Sequence, residues 1–129
     1  MLGYTMYGTN DIKKASAFYD AVFKSIGVGR LMEFPTGAIA YGVGFDKPMF
    51  AIGAPYDGKP ATAGNGAMMA LALDTRAKVD AVHAAAMAAG GADEGAPGVR
   101  GEEGPQAFYG AYFRDLDGNK FCAFRVGPA

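Results

Sequence analysis

Cysteine, histidine and tryptophan are scarce in this sequence, which has one Cys, one His and no Trp in 129 residues. The lone Cys122 excludes an intramolecular disulfide and any zinc site built from several cysteines. The only histidine, His83, falls on a predicted helix, where it cannot serve Cys122 as a base. The sequence therefore does not support a Ser-His-Asp or Cys-His catalytic arrangement.

Long apolar runs and clustered positive charges are also missing. No run reaches the about 18 apolar residues of a membrane span, and the N-terminal MLGYTMYGTNDIKK lacks the pattern of a secretory signal. Lys and Arg number 12 against 13 Asp and Glu, and the longest cationic run is Lys13–Lys14. Nucleic-acid binding needs clustered cations. We therefore expect a cytoplasmic protein with neither a nucleic-acid nor a membrane partner.

What the sequence does contain is apolar: half of the residues are hydrophobic and 12% are aromatic. This composition and length predict one folded domain over residues 1–129. In the first half, apolar runs and an apolar stripe at steps of 3 and 4 residues predict a strand, a helix and three more strands. Asn10 or Asp11 would cap this helix and Gly27 would end it. The predicted segments are 3–9, 10–27, 28–34, 38–45 and 49–56.

The second half repeats this order after a Gly- and Pro-rich linker at 57–66. We predict strands at 67–73, 107–113 and 120–126 and a helix at 74–91, whereas 92–106 reads as a loop with at most one short strand. Asp11 to Gly27 and Asp74 to Gly90 are both 16 residues apart. The sequence thus predicts an α+β fold of two βαβββ modules, about 1–56 and about 67–129, with helices on the outer face of a cupped mixed sheet.

The stretch RDLDGNKFCAF (114–124) lies between the last two predicted strands. An EF-hand calcium loop needs glycine at its sixth position and Glu at its twelfth. Counted from Asp115, glycine is fourth and Val126 is twelfth, so the calcium reading fails. Asp, Gly and Asn tolerate the backbone angles of tight turns, which predicts a hairpin in which Asp115 and Asp117 accept bonds from turn amides.

Several segments resemble the vicinal oxygen chelate superfamily, which includes glyoxalases, bleomycin-resistance proteins and extradiol dioxygenases. FYGAYFRDLDGNKFCAF is similar to the ending of that family, and NDIKKASAFYDAV is similar to its first helix. The stretch from GNGAMMALAL to APGVR resembles its linker, fifth strand and second helix in glyoxalase-like bacterial members. The resemblance implies two βαβββ modules cupped around a ligand cavity, and it implies a homodimer.

The resemblance also implies metal ligands, and here the sequence departs from the family pattern. Metal-dependent members carry His on the first and fifth strands and Glu on the eighth, with another ligand on the fourth. The aligned positions hold Tyr4, Met68 and Cys122, and strand 49–56 has no His, Asp or Glu. Divalent catalytic metals need imidazole and carboxylate donors. We therefore expect no metal and no cofactor, although Cu(I) held by these three residues is a remote alternative.

The remaining polar candidates each have a structural explanation beside a functional one. His83 lies beside the apolar stripe of the second helix and is expected on the helix surface. Glu33 faces either the cavity or solvent, and Arg30 either binds an anionic ligand or lies at a strand edge. Three charged residues of a Gly-rich loop either close over a ligand or are solvated: Arg100, Glu102 and Glu103.

Strand alternation predicts which side chains line the cavity. Tyr4 and Met6 share one face of the first strand, while Thr5 and Tyr7 lie on the other. By the same rule Met68 goes with Ala70, and Cys122 goes with Phe124. The predicted ligand-binding residues are Tyr4, Met6, Met68, Cys122 and Phe124. The alternative is that these side chains simply fill the cup.

These observations lead to a hypothesis of function. We expect a glyoxalase- or bleomycin-resistance-like protein that binds a small apolar or aromatic molecule without the family metal. One alternative is a glyoxalase-like lyase, isomerase or dioxygenase with a non-standard or metal-free site, using Tyr4 or Glu33 for acid/base work. Another is an interaction module, which would show an exposed apolar patch and no internal cavity.

Overall fold

The computed structural model describes residues 1–129 and contains two helices and eight strands. The order β-α-β-β-β occurs twice, which confirms the predicted α+β class with two βαβββ modules. The elements are β1 (Tyr4–Gly8), α1 (Ile12–Lys24), β2 (Gly29–Glu33), β3 (Ile39–Gly42), β4 (Met49–Gly53), β5 (Met69–Ala72), α2 (Arg76–Ala88), β6 (Ala92–Arg100), β7 (Phe108–Arg114) and β8 (Lys120–Val126).

The strands form two four-stranded mixed sheets, one in each module. The strand order is β1-β4-β3-β2 in the first sheet and β5-β8-β7-β6 in the second. In both modules the first and fourth strands pair in parallel and the other neighbours pair antiparallel. This order leaves β1 and β5 as end strands of their sheets.

Each sheet has one face against the helices, which we call the helix face, and an opposite open face. In β1 the helix face carries Tyr7, whose ring centroid lies 6.1 Å from that of Phe50 and 5.4 Å from that of Phe121. The open face carries Tyr4 and Met6, which remain 68% and 45% exposed. These positions match the alternation predicted for the first strand.

One core cluster of 16 buried apolar residues includes side chains from both modules. Tyr19 of α1 links them, because its ring centroid lies 4.8 Å from Phe50 of β4 and 5.8 Å from Phe121 of β8. Full burial of one large apolar side chain is worth about 1.5–3 kcal/mol. The two helix faces are therefore stabilised by a shared core.

Helix α1 forms for the predicted reasons. Asp11 is its N-cap, with the Asp11 side chain accepting a hydrogen bond from the Lys14 amide at 3.1 Å. Its apolar stripe is buried, and beyond Ser25 the chain turns at Gly27, where φ is +74°. Helix α2 is capped in the same way by Thr75. No helix here has the length and apolar character needed to cross a membrane.

Strand β6 differs from the sequence-based prediction. The sequence predicts for 92–106 a loop that holds at most one short strand, but Ala92–Arg100 is a nine-residue strand paired with β7. The sequence gives only a weak strand signal here, because glycine and proline are poor strand formers and the segment contains Gly95, Pro97 and Gly98. The pairing accommodates them through register shifts at Gly95 and Gly98.

The turn between β7 and β8 is a hairpin, as predicted, and Asp115 organises it. One carboxylate oxygen of Asp115 accepts bonds from the amides of Asp117 and Asn119 at 2.9 and 2.8 Å. The other accepts bonds from the Asn119 side-chain amide at 2.9 Å and from the Tyr19 hydroxyl. Gly118 takes φ +87°, a conformation that favours glycine.

The same turn also ties the second module to the first. The Thr9 hydroxyl donates to the Asp117 carboxylate at 2.6 Å, and the Asn119 side chain donates to the Gly8 carbonyl at 3.1 Å. The Tyr7 hydroxyl donates to the Lys120 carbonyl at 2.8 Å. The acidic residues of RDLDGNKFCAF are therefore inter-module contacts as well as turn residues.

Candidate ligand site

One cavity, of about 630 Å³, lies where β1 and β4 approach β5. Sixteen of its nineteen lining residues are hydrophobic. Tyr4 and Met49 line it from the first module, and residues 68–73 line it in succession from the second. The whole run borders the cavity because β5 is an end strand, so its edge as well as its side chains faces the space.

A second cavity, of about 390 Å³, lies on the open face of the first sheet. All nine residues that line it are hydrophobic: Tyr4, Met6, Met32, Phe34, Ala38, Ala40, Phe45, Met49 and Ala51. Tyr4 and Met49 line both cavities. The two spaces therefore adjoin at these two side chains.

Neither cavity is lined by a carboxylate, an imidazole, an amine, a guanidinium or a thiol. The polar side-chain groups are the hydroxyls of Tyr4, Thr5 and Tyr41. Tyr41 donates to Asp20 at 2.9 Å, and burial, followed by this bond, raises the pKa of Tyr41. The lining therefore suits the binding of apolar groups and offers no carboxylate or imidazole to act as a base.

The five predicted ligand-binding residues do not surround one space. Tyr4 lies with Met68 on the larger cavity and with Met6 on the smaller one. Cys122 and Phe124 line neither cavity. Cys122 is 1% exposed and pairs across the strands with Tyr112. Strand alternation predicted the faces, but it could not show that β8 borders the larger cavity through Phe121, on the face opposite to Cys122 and Phe124.

The open face of the second sheet has a different chemical character. The rings of Phe108 and Phe124 stack there, 5.2 Å apart and nearly parallel. The Arg100 guanidinium and the Lys120 ammonium lie 5.5 and 5.6 Å from the centre of the Tyr112 ring. Tyr112 and Phe108 are not among the ligand-binding residues predicted from the sequence, although alternate positions of FYGAY in β7 could have indicated both.

The residues at the family's metal positions do not fit a divalent metal ion. Tyr4 offers a phenol and Met68 a thioether, which are weak donors for such ions. Cys122 offers a buried thiol, and burial raises its pKa, which disfavours the thiolate that would bind metal. No three His, Cys, Asp or Glu side chains lie close enough to form a ligand set.

The other polar candidates make structural contacts. Arg30, on the end strand β2, binds Asp20 at 2.7 Å and Glu33 at 2.5 Å, so both strand residues are engaged at the sheet edge. His83 is buried, which corrects its expected place on the helix surface. Its ring bonds to the Asp93 carboxylate at 2.9 Å. This bond lowers the pKa of Asp93.

Two of the three charged loop residues, Glu103 and Arg100, also make defined contacts. Glu103 binds Arg76 of α2 at 2.6 Å, a bond that lowers the pKa of Glu103 to about 2. Arg100 is the last residue of β6 and lies over Tyr112, where it has no carboxylate partner. The loop is therefore held against α2 at Glu103.

Comparison with known proteins adds family information to this geometry. The family model of the Glyoxalase/Bleomycin resistance protein/Dioxygenase superfamily matches residues 1–123. A glyoxalase/bleomycin resistance protein from Albidiferax ferrireducens T118 is 38% identical, with a TM-score of 0.86 over 97% of this chain and 98% of that one. No curated protein sequence matches the chain.

More distant structures share the fold. A glyoxalase/bleomycin resistance protein/dioxygenase family enzyme from Burkholderia phytofirmans PsJN is 24% identical, with a TM-score of 0.69 over 96% of this chain and 97% of that one. A lactoylglutathione lyase from Agrobacterium tumefaciens is 21% identical, with a TM-score of 0.64 over 97% and 92% of the two chains. At these identities the similarity concerns the fold alone.

Proposed function

Because the chain belongs to the Glyoxalase/Bleomycin resistance protein/Dioxygenase superfamily, we propose that it binds a small, largely apolar or aromatic molecule beside Tyr4, without the family's metal. The observation that carries this proposal is the pair of adjoining apolar cavities that share Tyr4 and Met49. Their lining has no ionisable group except phenols. Binding that sequesters the molecule, in the manner of a bleomycin-resistance protein, therefore suits the site better than acid/base catalysis.

The size and surface of the larger cavity support the proposal. Ligand pockets typically enclose about 300–1,000 Å³, and the cavity of about 630 Å³ falls in this range. Burial of apolar ligand surface is worth about 25 cal/mol per Å². Met49, Met68 and Met69 line the cavity, and methionine side chains adapt to ligands of irregular shape.

The binding proposal can be tested with N-phenyl-1-naphthylamine, a neutral aromatic probe whose fluorescence rises in apolar surroundings. The variant Ala70→Leu adds bulk to a residue that lines the larger cavity. The matched control is Ala84→Leu, an equal enlargement at an exposed position of α2. We expect Ala70→Leu to weaken probe binding about tenfold, a loss of about 1.4 kcal/mol, and Ala84→Leu to leave it unchanged. Equal affinities for both variants would place the probe elsewhere.

The metal-free part of the proposal has a separate test. Elemental analysis of protein purified without chelator should find no stoichiometric nickel, zinc, iron or manganese. Such a metal, removed by chelator together with an activity, would instead support the lyase, isomerase or dioxygenase alternative.

We also propose that the chain forms a homodimer through the open face of the first sheet. Met32, Phe34 and Phe45 on this face are exposed, in addition to Tyr4 and Met6. A contiguous exposed apolar surface of this kind is typical of an interaction site. A second copy of the chain would cover this surface together with the smaller cavity, so that the larger cavity remains for the ligand. Sedimentation velocity measures the resulting mass.

A further inference from the structure

We infer that the open face of the second sheet binds a carboxylate attached to a flat apolar or aromatic group. The proposed site consists of Arg100, Lys120 and Tyr112, with the stacked Phe108 and Phe124 beside them. It lies outside both apolar cavities, so the inference goes beyond the proposed function and does not depend on it.

The two cations are the first line of evidence. Arg30, Arg76 and Arg114 are each paired with a carboxylate, whereas Arg100 and Lys120 have no carboxylate partner. Arg100 from β6 and Lys120 from β8 flank Tyr112 of the intervening β7, and each charged group lies within 5.6 Å of the centre of its ring. Glu94 is the nearby acid that could neutralise Lys120, but Arg114 already binds its carboxylate at 2.5 Å.

The backbone of β6 holds the Arg100 side chain in this position. Its two terminal nitrogens donate to the carbonyls of Gly98 and Ala96 at 3.0 and 2.7 Å. A Cβ at residue 98 or 95 would come within 3.2 or 3.1 Å of these nitrogens. Glycines at the two register shifts of β6 therefore provide the space through which the guanidinium crosses the strand to reach Tyr112.

An aromatic surface adjoins the two charges. Phe108 leans over Gly110, where a Cβ would lie only 2.7 Å from its ring, and stacks on Phe124 of the neighbouring strand. Tyr112 is two residues further along the same face of β7. A guanidinium and an ammonium recognise a carboxylate, and phenyl rings stack on planar apolar groups. An arylcarboxylate combines both features.

Cys122, the cross-strand partner of Tyr112, is buried at the same place in the sheet. Burial raises its pKa, and the bond with Tyr112 and then the charges of Arg100 and Lys120 oppose this effect. A carboxylate bound above Tyr112 would lie between the two cations.

Benzoate is the probe for this site, and benzyl alcohol is its neutral counterpart. Nitrogen-edited NMR titration should show benzoate binding in the millimolar range, with the largest shifts at Gly98, Gly110 and Tyr112. Arg100→Gln and Lys120→Gln should each weaken benzoate about tenfold or more, consistent with the loss of a charge-assisted contact. Benzyl alcohol should bind more weakly and should not respond to either substitution.

The matched control is Arg125→Gln. Arg125 also lacks a carboxylate partner, but it pairs with Tyr109 on the helix face of the same sheet.

A further variant, Gly98→Ala, keeps every charge and displaces only the Arg100 head group, so it should weaken benzoate binding several-fold. The inference is overturned if benzoate does not bind at about 50 mM, or if benzyl alcohol binds equally well. It is also overturned if Arg125→Gln has the same effect as Arg100→Gln.

Discussion

At the residue scale, the hydrogen bonds of Asp115 explain which residues occur in the turn between β7 and β8. Its carboxylate is buried and accepts four hydrogen bonds, two from turn amides, one from the Asn119 side chain and one from Tyr19 of α1. Removal of this acceptor would leave several buried donors without partners, and each costs about 1–3 kcal/mol. The residue is thus required by the fold, whatever the ligand.

We expect Asp115→Ala to reduce the free energy of unfolding by about 3 kcal/mol. The adjacent Leu116 is exposed in the same turn, so Leu116→Ala is the control and should change stability by less than about 0.5 kcal/mol. Urea denaturation followed by circular dichroism measures both. A loss for Asp115→Ala no larger than that of the control would show that the network is not stabilising.

At the scale of elements, the junction of α2 and β6 leaves no room for a side chain at Gly91. A Cβ on Gly91 would lie 2.8 Å from the Arg114 carbonyl oxygen, 2.9 Å from the Ala86 carbonyl oxygen and 3.1 Å from the Phe18 ring. Two of these neighbours are backbone atoms, which cannot move aside as a flexible side chain can. Glycine is therefore needed here for close packing, although its φ is not in the left-handed region.

Gly91→Ala should destabilise the protein by about 2 kcal/mol through this steric conflict. Gly104 has no atom within 4 Å of a hypothetical Cβ and does not require a positive φ. Gly104→Ala should consequently leave the melting temperature nearly unchanged. Differential scanning calorimetry of the two variants separates packing from the general effect of replacing glycine, and similar melting temperatures would contradict the packing explanation.

At the scale of the whole molecule, the helix faces of the two sheets pack into one core, whereas the open faces do not contribute to that core. Tyr19, the Thr9–Asp117 bond and the Asn119–Gly8 bond join the two modules. The first sheet, in contrast, leaves large apolar side chains in solvent. This asymmetry is the basis of the proposed homodimer.

The dimer predicts a sedimenting mass of twice the chain mass. Phe45→Asp places a charge at an exposed residue of the proposed interface. The variant should weaken association at least tenfold, which corresponds to about 1.4 kcal/mol or more, because an aromatic contact is lost. Leu116→Asp adds the same charge to an exposed turn residue and should leave the dimer intact. Monomeric wild-type protein, or equal effects of both variants, would contradict the proposal.

The sequence by itself determined the α+β class, the two modules, a helix cap at Asn10 or Asp11 and the hairpin at 114–124. Each of these follows from local patterns: apolar periodicity, capping residues and turn residues. It also placed Tyr4 with Met6 and Cys122 with Phe124, because strand alternation depends only on neighbouring residues.

Only the tertiary structure decided which of these side chains border a common cavity. Strand order left β1 and β5 as end strands, so Tyr4 and Met68 border a cavity that Cys122 and Phe124 of the inner strand β8 do not line. The buried His83–Asp93 pair and strand β6 likewise depend on contacts between distant segments. Long-range pairing outweighed the weak local propensities of Gly95, Pro97 and Gly98, and no local pattern encodes such pairing.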